Sequence, residues 1–249
     1  MIRYHGGPIT PVFAAERLWM GRHAMVSFAY PAQVTIAAEV AQSFALDNGA
    51  FSAWKSGKPI TDWKPYSEWV KEWLQHPGFD WCLIPDEIDG DEEANDELIR
   101  RFNLGRKSVQ VPVWHLHESL ERLRRLVTEW PRVAIGSSGE YADIDTCLWW
   151  SRMSEAMNVA CDANGRPLRK LHGLRMLANT VCSHIPLSSA DSTNIAINIG
   201  IDKRWPSGAY APVSDWVKAI VLADRSETHA TAARWTRTCG VQRNFELIG

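Results

Sequence analysis

Polar residues that could do chemistry recur along this chain where apolar runs stop: Asp47, Asp86, His115, Gly136-Ser137, His172-Gly173 and Asp191. Carboxylates in a pair can divide nucleophilic attack from proton transfer. Imidazoles exchange protons near neutrality, and amides flanked by glycine can hold an oxygen. The clearest member is Phe44-Ala45-Leu46-Asp47-Asn48-Gly49-Ala50-Phe51. Its apolar start suits the end of a buried strand, and Asp-Asn-Gly favours a turn, because Asn and Gly tolerate positive φ. The bland alternative is an Asx-turn in which Asp47 caps only its own backbone. Asp86 has a similar alternative, as the cap of the helix that follows it.

The elements that must position these residues alternate. Strands are expected at Ile2–Tyr4, Ala24–Ala29, Phe44–Leu46, Phe79–Ile84, Val109–Trp114, Arg132–Ile135, Lys170–Leu171 and Ile185–Ser189. Helices are expected between them. Trp63, Tyr66, Trp69, Val70 and Trp73 repeat at helical period, as do Leu120, Leu123, Leu126, Val127 and Trp130. A helix opening near Asp91 has acidic residues first and Arg100 and Arg101 last, matching the helix dipole. Eight strands, nearly all followed by a helix, imply a parallel sheet closed as a (β/α)8 TIM barrel. We expect one α/β domain with its barrel in residues 1–200 and a helical C-terminal extension over 201–249. An open doubly wound sheet is the alternative. In a barrel, chemistry sits at the carboxyl ends of the strands, so the polar series would converge on one mouth.

Composition sets outer bounds. A chain of 249 residues that is 45% hydrophobic and 22% charged suits one globular barrel. Five scattered cysteines, Cys82, Cys147, Cys161, Cys182 and Cys239, form no C-x-x-C pair and no disulfide framework. A reducing compartment and a cytoplasmic location are therefore expected, with no signal peptide and no membrane partner. The net charge of −2 hides an asymmetry. Residues 80–97 hold nine acidic and no basic side chains, whereas 166–249 hold eleven Lys or Arg against six Asp or Glu. Arg166, Arg169, Lys170 and Arg175 are thus candidates for tracking a phosphate backbone, with a solvated rim as the alternative.

Four segments carry a family likeness, in order. Leu46-Asp47-Asn48-Gly49-Ala50-Phe51 resembles a D-S-G-G-F segment, and Pro85-Asp86 resembles a base-reading aspartate. Gly136-Ser137-Ser138-Gly139-Glu140 is similar to a glycine-rich strand end, and Ser189-Ala190-Asp191-Ser192 to an S-x-D-S segment. The set resembles tRNA-guanine transglycosylases and, more closely, their shorter relatives that place 7-deazaguanine bases in DNA. That resemblance implies exchange of guanine in DNA for a 7-deazaguanine derivative, with DNA and the free base as partners, in a bacterial or phage-infected cell. It implies Asp191 as nucleophile and Asp47 as general acid/base. On the chemistry of guanine itself, Asp86 would read the Watson–Crick edge, Phe51 or a tryptophan would stack on the base, the Gly136-Ser137 amides or a donor from His115 would meet O6, and Gly173 would belong to the same base site.

Two departures bear on the substrate. The tRNA enzymes carry a structural zinc on a tight cysteine cluster, and no such cluster exists here. Neither zinc nor any other cofactor is therefore expected, and DNA is favoured over tRNA. Asn48 also replaces a small residue of the family segment. The main rival is a metal-dependent barrel hydrolase using His115, His117, His172 and Asp191 as ligands. A non-catalytic nucleic-acid-binding protein using the basic C-terminal third is the other, and it leaves the ordered carboxylates unexplained.

Overall fold

The computed structural model describes residues 1–198 and 214–236. Its strands are β1 (Ile2–Gly6), β2 (His23–Ser27), β3 (Ser43–Asp47), β4 (Phe79–Leu83), β5 (Gln110–Val111), β6 (Val113–His115), β7 (Arg132–Gly136), β8 (Lys170–Gly173) and β9 (Ser189–Ser192). Every pairing is parallel, in the order β5-β4-β3-β2-β1-β9-β8-β7-β6. The outermost two, β5 and β6, are one strand interrupted at Pro112, whose missing N–H cannot join a ladder. β5 pairs with β4 and β6 with β7, while the Pro112 carbonyl accepts the Ala134 N–H at 2.9 Å. The sheet therefore closes on itself as the expected eight-stranded barrel.

Helices α1 (Val12–Trp19), α2 (Val34–Val40), α3 (Ala50–Lys55), α4 (Lys64–Trp73), α5 (Glu92–Arg101), α6 (Leu120–Glu129), α7 (Cys147–Ala160), α8 (Asn179–Cys182) and α9 (Asn194–Asn198) follow the strands in turn. Their starts are chemically marked. Asp91, Ser119 and Thr146 accept backbone N–H bonds from Ala94, Arg122 and Trp149 as N-caps of α5, α6 and α7. The cap of α5 is thus Asp91, which leaves Asp86 free for other work. A last helix, α10 (Asp215–Thr228), lies in the expected C-terminal extension and packs on α1. Arg3 of β1 donates to the carbonyls of Glu227 and His229, and His5 Nε2 lies 2.9 Å from the Glu227 carboxylate. The extension therefore covers β1 as part of the barrel's helical layer. The loop around Trp205–Gly208 lies outside the described residues. Among the described residues no helix is long and apolar enough to cross a membrane.

Alternation along each strand sorts the core into two layers. Outward residues such as Phe44, Leu46, Trp114, Val133 and Ile135 join Trp19, Trp149 and the helix stripes in the larger layer. Inward residues Tyr4, Met25, Ala45, Trp81, Leu83, Val111, Val113 and Ala134 fill the barrel itself. Below them Tyr4 donates its hydroxyl hydrogen to Asp80 and accepts the Trp81 indole N–H at 3.0 Å. Arg132 stands 5.1 Å over the Trp81 ring. This plug seals the amino end of the barrel, so a ligand can enter only from the carboxyl ends of the strands.

Most strand bounds shift by a residue or two from the sequence reading, and the last strand shifts most. The last strand runs Ser189–Ser192, not Ile185–Ser189. Pro186 withholds a donor, and the Leu187 N–H turns back to the Ile185 carbonyl at 2.8 Å, so ladder pairing begins only at Ser189. Asp191 thereby sits within β9, opposite Tyr4 of β1.

Candidate active site

The barrel mouth holds a cavity of about 580 Å³, lined by Asp47, Asp86, His115, Gly136, Ser137, Asp191, Phe51 and Arg175 among others. A volume in this range suits a small-molecule ligand such as one nucleoside. The strands bring these side chains together because inward positions recur at the same height. Ser27 lies opposite Asp47, and His115 lies opposite Gly136.

Asp47 ends β3 and faces the cavity. Burial pushes its pKa up from 3.8 to about 6, and the neighbouring carboxylates Asp191 and Asp86 add to the rise. Hydrogen bonds from the Ser27 hydroxyl and the Gly49 backbone oppose it without cancelling it. The group is enclosed by protein yet touches the cavity, which suits a side chain that must trade protons with a ligand. Gly49 completes the turn at φ +79°, and a Cβ there would lie 3.1 Å from the Ala29 backbone nitrogen. We expect Gly49→Ala to cost about 1–2 kcal/mol through the left-handed backbone alone. A urea unfolding curve with unchanged slope and a lower midpoint is the measurement that checks this.

Asp86 is held from two sides. Its Oδ1 accepts from Asn48 Nδ2 at 2.6 Å, and its Oδ2 lies 2.8 Å from His115 Nε2. Asn48 is fully occupied: Nδ2 also donates to the Ile84 carbonyl at 2.8 Å, and Oδ1 accepts the Ala50 N–H at 2.9 Å. The departure at position 48 thus fixes the Asp86 carboxylate and starts α3 at once. The expected donor role of His115 toward a ligand oxygen does not fall to Nε2, which faces the Asp86 carboxylate and carries hydrogen toward it, leaving Nδ1 as the unengaged ring nitrogen. That Nδ1 is buried without a partner, beside Gly136, where a Cβ would come within 2.9 Å of it.

Asp191 is 7% exposed. Its Oδ1 accepts the backbone N–H of Arg175 at 2.9 Å and lies 3.3 Å from His172 Nε2. Among the described residues Oδ2 accepts no bond, so one oxygen is anchored and the other is available. His172 is fully buried under it, with Nδ1 2.9 Å from the Ser189 hydroxyl. Burial drives the His172 pKa down against the pull of Asp191, favouring a neutral ring. Arg175 holds a left-handed φ of 60°, which aims its N–H at Asp191. Its guanidinium crosses the mouth, donates to the Ser137 carbonyl at 3.1 Å and lies 4.1 Å over the Phe51 ring.

Several expected members stand elsewhere. Gly173 does not line the cavity. Its neighbour across the ladder is the outward Ala190, and a Cβ on it would strike Leu187 and Met176 in the outer layer. Leu174 takes the inward place. Lys170 opens β8 opposite Arg132, and Arg166 and Arg169 lie in the loop before it. These three belong to the amino end of the barrel, away from the mouth; of the four cations only Arg175 reaches the site. The rival ligand set is also dispersed. His117 bonds Ser138 and the Gly90 carbonyl, and His5 faces α10. Among the described residues no three His, Cys, Asp or Glu side chains are grouped to hold one metal ion. Ser27, Tyr30 and Lys55 line the cavity unforeseen. Ser27 was open to inference, since His23, Met25 and Ser27 share the inward period of β2.

Fold and site together define a (β/α)8 barrel with three carboxylates around one mouth. No family model, curated protein or solved structure matches this chain.

Proposed function

We propose that this protein is a base-exchange transglycosylase that replaces guanine in DNA with a 7-deazaguanine base. The observation that carries the reading is one cavity lined by two carboxylates in unlike settings: Asp191 with one oxygen anchored and one free, and Asp47 with a pKa near 6. This is the division that glycosyl exchange through a covalent intermediate requires.

In the first half-reaction Asp191 Oδ2 attacks the sugar carbon C1′ and the C1′–N9 bond breaks. The electron pair of that bond leaves with guanine, which takes a proton from the Asp47 carboxyl. In the second half the incoming base gives its ring N–H proton to ionised Asp47, its nitrogen attacks C1′, and Asp191 leaves as carboxylate. Atoms and charge balance without a further reactant. Asp86, held by Asn48 and His115, keeps lone pairs for the N1–H and N2–H donors on the guanine edge. Phe51 offers a ring for stacking. A base paired in duplex DNA must first be flipped or unpaired to reach this depth.

Incubation with radiolabelled guanine, in separate reactions with DNA and with tRNA, tests the reading. Label is expected in DNA, with release of an equal amount of unlabelled guanine, and a 7-deazaguanine acceptor added afterwards should displace the label. Label in tRNA alone would move the polymer to RNA, and label in neither would remove base exchange.

A further inference from the structure

Two adjoining parts of the mouth differ in a way the carboxylate chemistry does not use. The β4–α5 side carries Asp86, Glu87, Asp89, Asp91, Glu92 and Glu93, a rim that repels phosphate. Next to it, the turn after β2 and the segment around α3, on the neighbouring strands, carry exposed Tyr30 and Trp54, half-buried Phe51, and exposed Lys55 and Lys58. Tyr30, Phe51 and Lys55 line the cavity wall itself. Phe51 and Trp54 lie with ring centroids 5.7 Å apart, and Arg175 caps the opposite approach at 4.1 Å from Phe51. Trp54 is fixed by its indole N–H, which donates to Asp89 of the adjoining β4–α5 segment. Neither lysine has an ion-pair partner among the described residues, and nothing in that set covers Tyr30.

Flat rings interleaved with unpaired cations are the means by which proteins hold an unpaired strand. Each base supplies a π-face and each phosphate a charge. We infer that this ledge of Tyr30, Phe51, Trp54, Lys55 and Lys58 binds single-stranded nucleic acid, so that one base drops into the cavity while its neighbours stack outside. The surface rests on the reading of the site as one that accepts a nucleic-acid base. It names the path and the strandedness, neither of which follows from the catalytic carboxylates. The adjoining acidic segment repels a second phosphate strand along that flank, so the substrate enters locally unpaired.

Fluorescence anisotropy with a labelled single-stranded oligodeoxynucleotide containing one guanine tests this, beside its duplex and the RNA of equal sequence. Single strands should bind more tightly than the duplex, and comparison of the DNA and RNA arms identifies the polymer. Tyr30→Ala should weaken binding about five- to a hundredfold, the range for loss of one stacking platform. Lys55→Ala with Lys58→Ala should reduce the slope of log affinity against log salt by about 1.4, or about 0.7 per phosphate contact. Arg166→Ala, Arg169→Ala and Lys170→Ala together, at the other end of the barrel, should leave both unchanged. All of these side chains except that of Tyr30 are charged surface groups, and thermal unfolding of each variant confirms the fold. Unaltered affinity and slope in the ledge variants, preference for duplex, or no oligonucleotide binding by the natural chain would each overturn the surface. Running guanine exchange in parallel separates the two proposals. Exchange with ledge-independent binding sinks the ledge alone, and ledge-dependent binding without exchange sinks the transglycosylase alone.

Discussion

Asp191→Asn should abolish both guanine exchange and the covalent link between protein and DNA, lowering turnover by at least about four orders of magnitude, as loss of an essential nucleophile does. The geometry makes the substitution clean. The Arg175 N–H requires an acceptor at 2.9 Å, so the new amide would turn its oxygen there and present its NH2 group to the cavity. A donor then stands where the proposed attacking oxygen of the natural chain stood. Folding should persist, because His172 below is favoured neutral and the Arg175 guanidinium, although it loses the attraction of the Asp191 charge, keeps the Ser137 carbonyl and the Phe51 ring. The substitution also relieves repulsion among the mouth carboxylates. DNA supplied without an acceptor base should leave a protein–DNA band that survives denaturation in the natural chain and is absent in Asp191→Asn. A folded Asp191→Asn protein that still exchanges guanine at the normal rate would sink the mechanism.

The barrel was legible in the sequence because hydrophobic alternation, turn residues and helix stripes all repeat in the same order. What was not legible depended on anchoring a period of two. His172 and Gly173 end one strand, yet only one of them can face inward, and the choice is set by pairing with β7 and β9. Asn48 was visible only as a departure, because its partners Ile84 and Asp86 lie more than thirty residues away. The role of His115 likewise turns on which nitrogen meets Asp86, a contact made across two strands. The placement of Arg166, Arg169 and Lys170 is a different matter. A loop that precedes a barrel strand lies at the opposite end from the loop that follows it. The order of elements therefore already separated these cations from Arg175. Asp47, Asp86 and Asp191 were found together because all three end strands that point the same way, whatever the register.

Asp47→Asn should erase a pH dependence that separates the two half-reactions, while making the protein more stable. On the proposed mechanism, release of guanine by the natural chain needs protonated Asp47, so adduct formation should fall as pH rises through about 6. Capture of the incoming base needs the ionised form, so resolution of a preformed adduct should rise over the same interval. One residue thereby gives two opposite titrations, each read in a single turnover. Asp47→Asn should erase both and slow each step by about 10²–10⁴, the usual worth of general acid–base catalysis. The stability effect has the opposite direction. The folded pKa lies above the ordinary 3.8, so the native state binds the proton more tightly than the unfolded chain. Stability is therefore greatest below pH 3.8 as far as this group is concerned, declines between about 4 and 6, and stays reduced above. The rise corresponds to at most about 3 kcal/mol at 1.36 kcal/mol per pKa unit, less whatever cavity water returns to the carboxylate. An amide does not ionise, so Asp47→Asn should unfold at higher urea than the natural chain at pH 8 and show no such gain at pH 4. Equal stability at both pH values would mean that burial does not strain this carboxylate. Two unchanged pH profiles would remove Asp47 from the proton path.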